Sequence, residues 1–232
     1  HLRKDVKFND GSDFTADDVI FNLEQWLDES VGSSMLSYVG SYLTPNDIER
    51  VDDHTVKLHL SSPQIAVPQH FFHYPAMIVP KTFEGDITRQ PVGTGPFLME
   101  EYVETERAVL KRREDYYRMG DDGQPLPYLD GLVYLDLGED DAARIAALQS
   151  GQVDNIFNPS AEIWQATKDL PGIKVYSAPT AQTFAIRMRV DKEPWNDNRV
   201  RLALKKCIDR QKMLDLAWFG NGVLAHDAHV AP

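Results

Sequence analysis

Several groups of residues carry side chains that could do chemistry. Glu139-Asp140-Asp141 places three carboxylates in a row, which would suit a cation. The same run suits the first turn of a helix, where acidic side chains meet the positive end of the peptide dipole. His226-Asp227-Ala228-His229 offers two imidazoles, but a structural zinc site takes about four ligands and no others stand nearby. Asp17-Asp18 could act as paired carboxylates in acid–base work. Thr15, three residues ahead of Asp18, makes them the opening turn of a helix instead. Cys207, the single cysteine, falls beside Ile208 on an apolar helical face, so a buried and inert thiol is expected. Arg199, Arg201, Lys205, Lys206, Arg210 and Lys212 form a basic run that reads as the solvated face of that helix. Phe71-Phe72, Tyr116-Tyr117 and the pair Tyr38 and Tyr42 could line a pocket or fill a core. Nowhere do a nucleophile, a base and an orienting group stand together. Neither catalysis, nor a metal or other cofactor, is expected.

The elements that would position these groups follow from periodicity. Lys4 to Phe8 alternates like a strand, and Asn9-Asp10-Gly11 turns it. Val19, Ile20, Leu23, Trp26 and Leu27 share one face of a helix that opens at Thr15. Ser33 to Tyr42 reads as a loop or a short helix. Ile48 to Val51 and Thr55 to Leu60 flank Asp52-Asp53 as a hairpin. Ser62-Pro63 is placed to start a short helix, and Ala76 to Val79 reads as a short strand between two prolines. Pro91-Val92-Gly93-Thr94-Gly95-Pro96-Phe97 then changes the pattern. It is no phosphate loop, because no third glycine or Gly-Lys follows and no helix opens.

Beyond it, Phe97 to Tyr102 and Ala108 to Arg112 form a second hairpin, and Asp121 to Pro125 a surface turn. Leu132 to Leu135, Val153 to Ile156, Lys174 to Ser177 and Phe184 to Met188 read as strands. Helices fall over Asp140 to Ser150, with Ala142, Ile145, Ala146 and Leu148 inside, and over Ser160 to Lys168. Asp197 opens a last helix pair whose apolar face is Val200, Leu204, Cys207 and Ile208. Strands alternating with helices from Leu132 onward suggest an α/β sheet with crossovers.

Composition narrows the class. The 232 residues are long enough for one large domain or two small ones. Hydrophobic residues make up 42% and charged ones 26%, as in a globular protein. A formal charge of −12 argues against a nucleic-acid partner, which calls for a basic face. One cysteine excludes an internal disulfide. No apolar run approaches the roughly 20 residues that span a bilayer. The chain opens inside a strand-like pattern and stops without closing an element, so it is expected to be an internal piece of a longer protein.

Four stretches together resemble the extracellular solute-binding proteins, family 5, of bacterial ABC importers, the dipeptide- and oligopeptide-binding type. The first is Leu2-Arg3-Lys4-Asp5-Val6-Lys7-Phe8-Asn9-Asp10-Gly11 with Phe14-Thr15-Ala16-Asp17-Asp18-Val19. The second is Val51-Asp52-Asp53-His54-Thr55-Val56, and the third is the Pro91 to Phe97 passage. The fourth runs from Trp195-Asn196-Asp197-Asn198-Arg199-Val200-Arg201 to Ile208-Asp209-Arg210. Their order and spacing match the family, and the resemblance runs from end to end.

The resemblance implies an incomplete α/β fold: a periplasmic-binding-protein-like lobe of type II with an extra α+β subdomain. Residues 1–92 would be the extra subdomain, 93–185 the main α/β subdomain of lobe one, and 186–232 the start of lobe two. It implies capture of a small solute, peptide first, outside the cytoplasmic membrane. The location is periplasmic or membrane-anchored, and the partner is the permease of an ABC importer. Gln182-Thr183-Phe184 corresponds to the family's ligand-facing crossover, often rich in tyrosine; here Phe184 is its only aromatic residue. Ser37-Tyr38 resembles a stretch that reaches toward bound peptide. Packing alone would equally explain Tyr38 and Phe184. Two other readings stand beside transport: the solute-binding domain of a regulator, and a hydrolase using a carboxylate such as Asp17 or Asp154.

Overall fold

Short-range signals set the first elements. In a computed structural model, which describes residues 1–178 and 184–224, the chain forms two compact units, His1–Asp136 and Leu137–Pro232. Helix α1 (Ala16–Leu27) starts where expected. The Asp18 carboxylate accepts from the Thr15 amide at 2.8 Å and from its hydroxyl at 2.9 Å. This occupies donors that a helix start leaves open. Leu23 and Trp26 are buried along one face. They pack with Met35, Val39, Tyr42 and Leu43 into the core of the first unit. Helix α2 (Leu36–Val39), a 3-10 turn (Pro45–Asp47), strands β1 (Ile48–Asp52) and β2 (Thr55–Leu58), and helix α3 (Val67–Phe72) surround that core. The antiparallel hairpin turns at Asp53-His54, and Leu58 and Leu60 lean on the core, as the alternation required. α3 begins at Val67, four residues after Pro63, with Pro68 in its first turn.

Two segments expected as strands are held by other means. Over Lys4 to Phe8 only one bridge forms, Lys7 to Asp13, made by the Phe8 amide donating to the Ser12 carbonyl at 2.9 Å and the Phe14 amide to the Val6 carbonyl at 3.2 Å around the turn at Asp10. At Ala76 to Val79 a side chain replaces the missing neighbour strand. The Asn22 carboxamide donates to the Val79 carbonyl at 2.6 Å and accepts from its amide at 3.2 Å. Such pairing satisfies backbone groups as a ladder would.

The Pro91 to Phe97 passage is tied down. Asn9 donates its amide to the Gly93 carbonyl at 3.0 Å and its carboxamide to the Pro91 carbonyl at 3.0 Å, while its side-chain oxygen accepts from the Gly93 amide at 3.1 Å. Beside it lies Arg113, only 3% exposed. Its guanidinium donates to the carbonyls of Lys7 and Phe8 and pairs with Asp115 at 2.9 Å. That pairing holds the Asp115 carboxyl below the usual carboxylate range.

From this seam run β3 (Phe97–Val103), β4 (Arg107–Arg112) and β5 (Gly131–Leu135), an antiparallel sheet in the order β3-β4-β5. A bulge separates Met99 from Glu101. β5 joins β4 with Leu132 opposite Leu110 and Tyr134 opposite Ala108. The change of pattern at Pro91 to Phe97 thus falls inside the first unit.

In the second unit α4 (Asp141–Gln149) and α5 (Ala161–Thr167) are capped by Asp140 and Ser160. The Ser160 hydroxyl donates to Asp141 at 2.7 Å and links the two helices. Glu139-Asp140-Asp141 is therefore a helix start. Just past the Ser150 cap of α4, Gly151 takes φ +73°, where a residue without Cβ is at ease. Its buried residue is Ala147, so Ala142 and Ala146, expected inside, are exposed. α6 (Asn198–Cys207) and α7 (Arg210–Ala217) are capped by Asp197 and Asp209.

The apolar runs at Val153 to Ile156, Lys174 to Ser177 and Phe184 to Met188 form no strand. Among the described residues every paired strand is antiparallel, and the expected crossover sheet is not assembled. Alternation is local, whereas a strand exists only once another chain segment supplies its hydrogen bonds. Cys207, expected buried, is exposed; α6 contributes no buried residue. No described helix is long and apolar enough to cross a membrane.

Candidate functional site

α2 and α3 bring four rings together. The Tyr42 hydroxyl lies 2.9 Å from His70 Nδ1, and the Tyr38 hydroxyl 3.3 Å from His73 Nε2. Tyr38 lies on α2 and Tyr42 in the turn just past its end, while His70 lies on α3 and His73 is that helix's C-cap. Tyr42 is buried against the core, and burial raises its phenol above the ordinary tyrosine value. Tyr38 is half-buried, with its ring centroid 4.7 Å from that of His73 and 5.6 Å from that of His70. Ser37 is exposed and donates its hydroxyl to the Ser34 carbonyl at 2.7 Å.

The second candidate region lies in the other unit. Phe184 is exposed, and its ring centroid is 4.7 Å from that of Trp218. Gln182 and Thr183 lie outside the described residues, as do His226 and His229. Of the expected ligand-facing positions, Tyr38 therefore sits in an aromatic cluster, Ser37 beside it in sequence, and Phe184 against one further ring. Sequence reasoning pairs Tyr38 with Tyr42 but misses His70 and His73. The available signal is their spacing of three around Phe71-Phe72.

The carboxylates considered for catalysis are otherwise engaged. Asp17 accepts from Lys81 at 2.6 Å and from Arg50 at 2.7 Å. Lys81, then Arg50, hold its carboxyl below the usual range. Asp18 is buried and also accepts from the Lys81 amide at 2.9 Å. A recess of about 280 Å³ opens over this network, lined by Asp17, Arg50, Asp53 and Lys81 among others. Asp154 is exposed. Among the described residues no three His, Cys, Asp or Glu side chains gather closely enough to hold a metal ion.

Known proteins resemble the chain along nearly its whole length. It is 27% identical over 248 residues to the peptide transport periplasmic protein SapA of Salmonella typhimurium, covering 97% of this chain and 44% of that protein. It is 31% identical over 223 residues to the glutathione-binding protein GsiB of Salmonella choleraesuis, covering 94% of this chain and 42% of that one. The chain thus spans less than half the length of these curated relatives. Its fold matches the periplasmic binding protein DppA of Helicobacter pylori, solved with the peptide STSA. The TM-score is 0.79 at 23% identity, over 95% of this chain and 46% of that structure. The α/β fold is therefore that of the type II periplasmic binding proteins, and the expected resemblance holds. The sequence model of the bacterial extracellular solute-binding proteins, family 5 Middle, matches residues 1–232, and the chain belongs to that family.

Proposed function

We propose that this chain is part of the substrate-binding component of an ABC importer. It takes up a small solute, a peptide first, outside the cytoplasmic membrane and hands it to the permease. The observation that carries this reading is the family match over residues 1–232. The named relatives point the same way, being a peptide transport protein and a glutathione-binding protein.

The proposed contact positions are Ser37 and Tyr38 in the first unit and Gln182, Thr183 and Phe184 in the second. Tyr38 is the best supported of them, since its ring is half-buried beside two histidines. In this reading residues 1–92 form the extra subdomain, 93–185 the main α/β subdomain of lobe one, and 186–232 the start of lobe two. Ligand binding favours a closed arrangement of two lobes, and the closed form docks on the permease. The chain turns over no substrate. Asp17 is occupied by Lys81 and Arg50, and neither it nor exposed Asp154 stands with the base and orienting group a hydrolase requires.

Calorimetry on the full-length protein with di- and tripeptides tests this. Saturable binding at micromolar or lower concentration is expected. Absence of heat with every peptide, alongside binding of a sugar, would remove peptide as the substrate class.

A further inference from the structure

The rings around Tyr38 continue to the surface. Tyr42, 2% exposed, stacks on His70 with centroids 5.8 Å apart and planes at 23°. Tyr38 leans on both His70 and His73, and His73 lies 4.8 Å from Tyr74. Tyr74 is 80% exposed. Five rings thus lead from the core of the first unit to solvent. Phe72, 92% exposed, directly precedes His73 in the chain.

The two chain segments that build this ladder differ from the rest of the unit. His1–Asp136 carries 24 Asp and Glu against 12 Lys and Arg. None of these residues occurs between Glu29 and Asp47, or between Lys57 and Lys81. Within an acidic unit these two segments thus carry no Asp, Glu, Lys or Arg of their own, and the second includes the exposed rings of Phe72 and Tyr74. Phe72 and Tyr74 alone offer on the order of 300 Å² of ring surface. Exposed aromatic surface of this kind is characteristic of contact sites. A charged ligand group would leave water here for no partner, whereas a flat uncharged one would stack.

We infer that the Tyr38, His73 and Tyr74 rings form a subsite for an uncharged aromatic side chain of the ligand. This rests on the peptide-binding reading, and it adds a preference that the reading does not contain. Tyr42 and His70 are positioning residues: they anchor the ladder to the core and touch no ligand.

The test compares Ala-Phe-Ala, trialanine and Ala-Glu-Ala by calorimetry on the full-length protein. Ala-Phe-Ala is expected to bind roughly three- to tenfold more tightly than trialanine, the range of one aromatic pair, and Ala-Glu-Ala no better than trialanine. Tyr74→Ala should bring the Phe-to-Ala ratio close to one, and Tyr74→Phe should keep it. Tyr74 is exposed, so both variants fold, which circular dichroism verifies. A wild type without the preference, or a preference that survives Tyr74→Ala, overturns the subsite and leaves peptide binding standing. Failure of all three peptides to bind overturns the peptide reading and the subsite with it.

Discussion

The two units carry the same number of basic side chains and differ in almost everything else. His1–Asp136 has 24 acidic residues against 12 basic ones and so bears the whole net charge of −12; Leu137–Pro232 has 12 of each. Among the described residues, the first unit also holds every strand and the cluster of Leu23, Trp26, Met35, Val39, Tyr42 and Leu43. In the second, the buried apolar residues among those described are Ala147, Ala161 and Ile163. Its helices α6 and α7 bury none. One unit encloses its own core despite self-repulsion, and the other buries a few residues between α4 and α5 and leaves the apolar sides of α6 and α7 open.

The largest expected consequence concerns autonomy. Residues 1–136 expressed alone should melt cooperatively, whereas residues 137–232 alone should show a broad, weak transition in circular dichroism. A sharp melt of the second piece would erase the contrast. The next effect is local. Trp26→Ala should cost about 3–5 kcal/mol of stability, and Leu216→Ala, at a 69% exposed position, less than about 0.5 kcal/mol. Denaturant titration measures both, and equal losses would mean that α7 is covered after all.

Arg113 sharpens the comparison at intermediate magnitude. Arg113→Met keeps most of the volume but removes the donors to the Lys7 and Phe8 carbonyls. It should cost about 1–3 kcal/mol and speed hydrogen exchange at Gly93, whose partner Asn9 adjoins those carbonyls. Unchanged exchange there would show that Asn9 alone holds the passage.

The smallest effect is on pH dependence. Asp17 is depressed by Lys81 and Arg50, 64 and 33 residues away, so unfolding breaks both pairs. A carboxyl lowered in the folded state stabilises it above the unfolded value near 3.9. That stabilisation is lost as pH falls through the lower, folded value. Asp191 is depressed by Arg189 only two residues away, a pair that an unfolded chain can still form. Stability curves below about pH 4 should therefore flatten slightly in Asp17→Asn and stay unchanged in Asp191→Asn. The reverse order would contradict the assignment of acid sensitivity to the first unit.

Much of the local architecture is legible in the sequence. Thr15 with Asp18, Asp140, Ser160 and Asp197 each mark a helix start. The hairpins at Asp53-His54 and between Val103 and Arg107 follow from alternation around a turn. In all of these, cause and effect lie within a few residues, so one window of sequence contains the whole interaction. The four family-like stretches are equally local, and the match over residues 1–232 agrees with them.

The site is legible only in part. Tyr38 and Tyr42 can be paired from their spacing, but nothing near them in sequence announces His70 and His73, some 30 residues on. The same limit explains the misjudged strands. Val79 has the pattern of a strand residue, yet its partner is the Asn22 side chain, 57 residues earlier. Cys207 lies on a helix with an apolar face, and only packing decides whether such a face is covered. By itself, then, the sequence determined the caps, the turns, the charge imbalance and the family. Tertiary structure alone decided which apolar faces close, which carbonyls Arg113 and Asn9 hold, and that five rings line up from Tyr42 to Tyr74. Those outcomes depend on contacts between residues far apart along the chain, and no periodicity encodes such pairs.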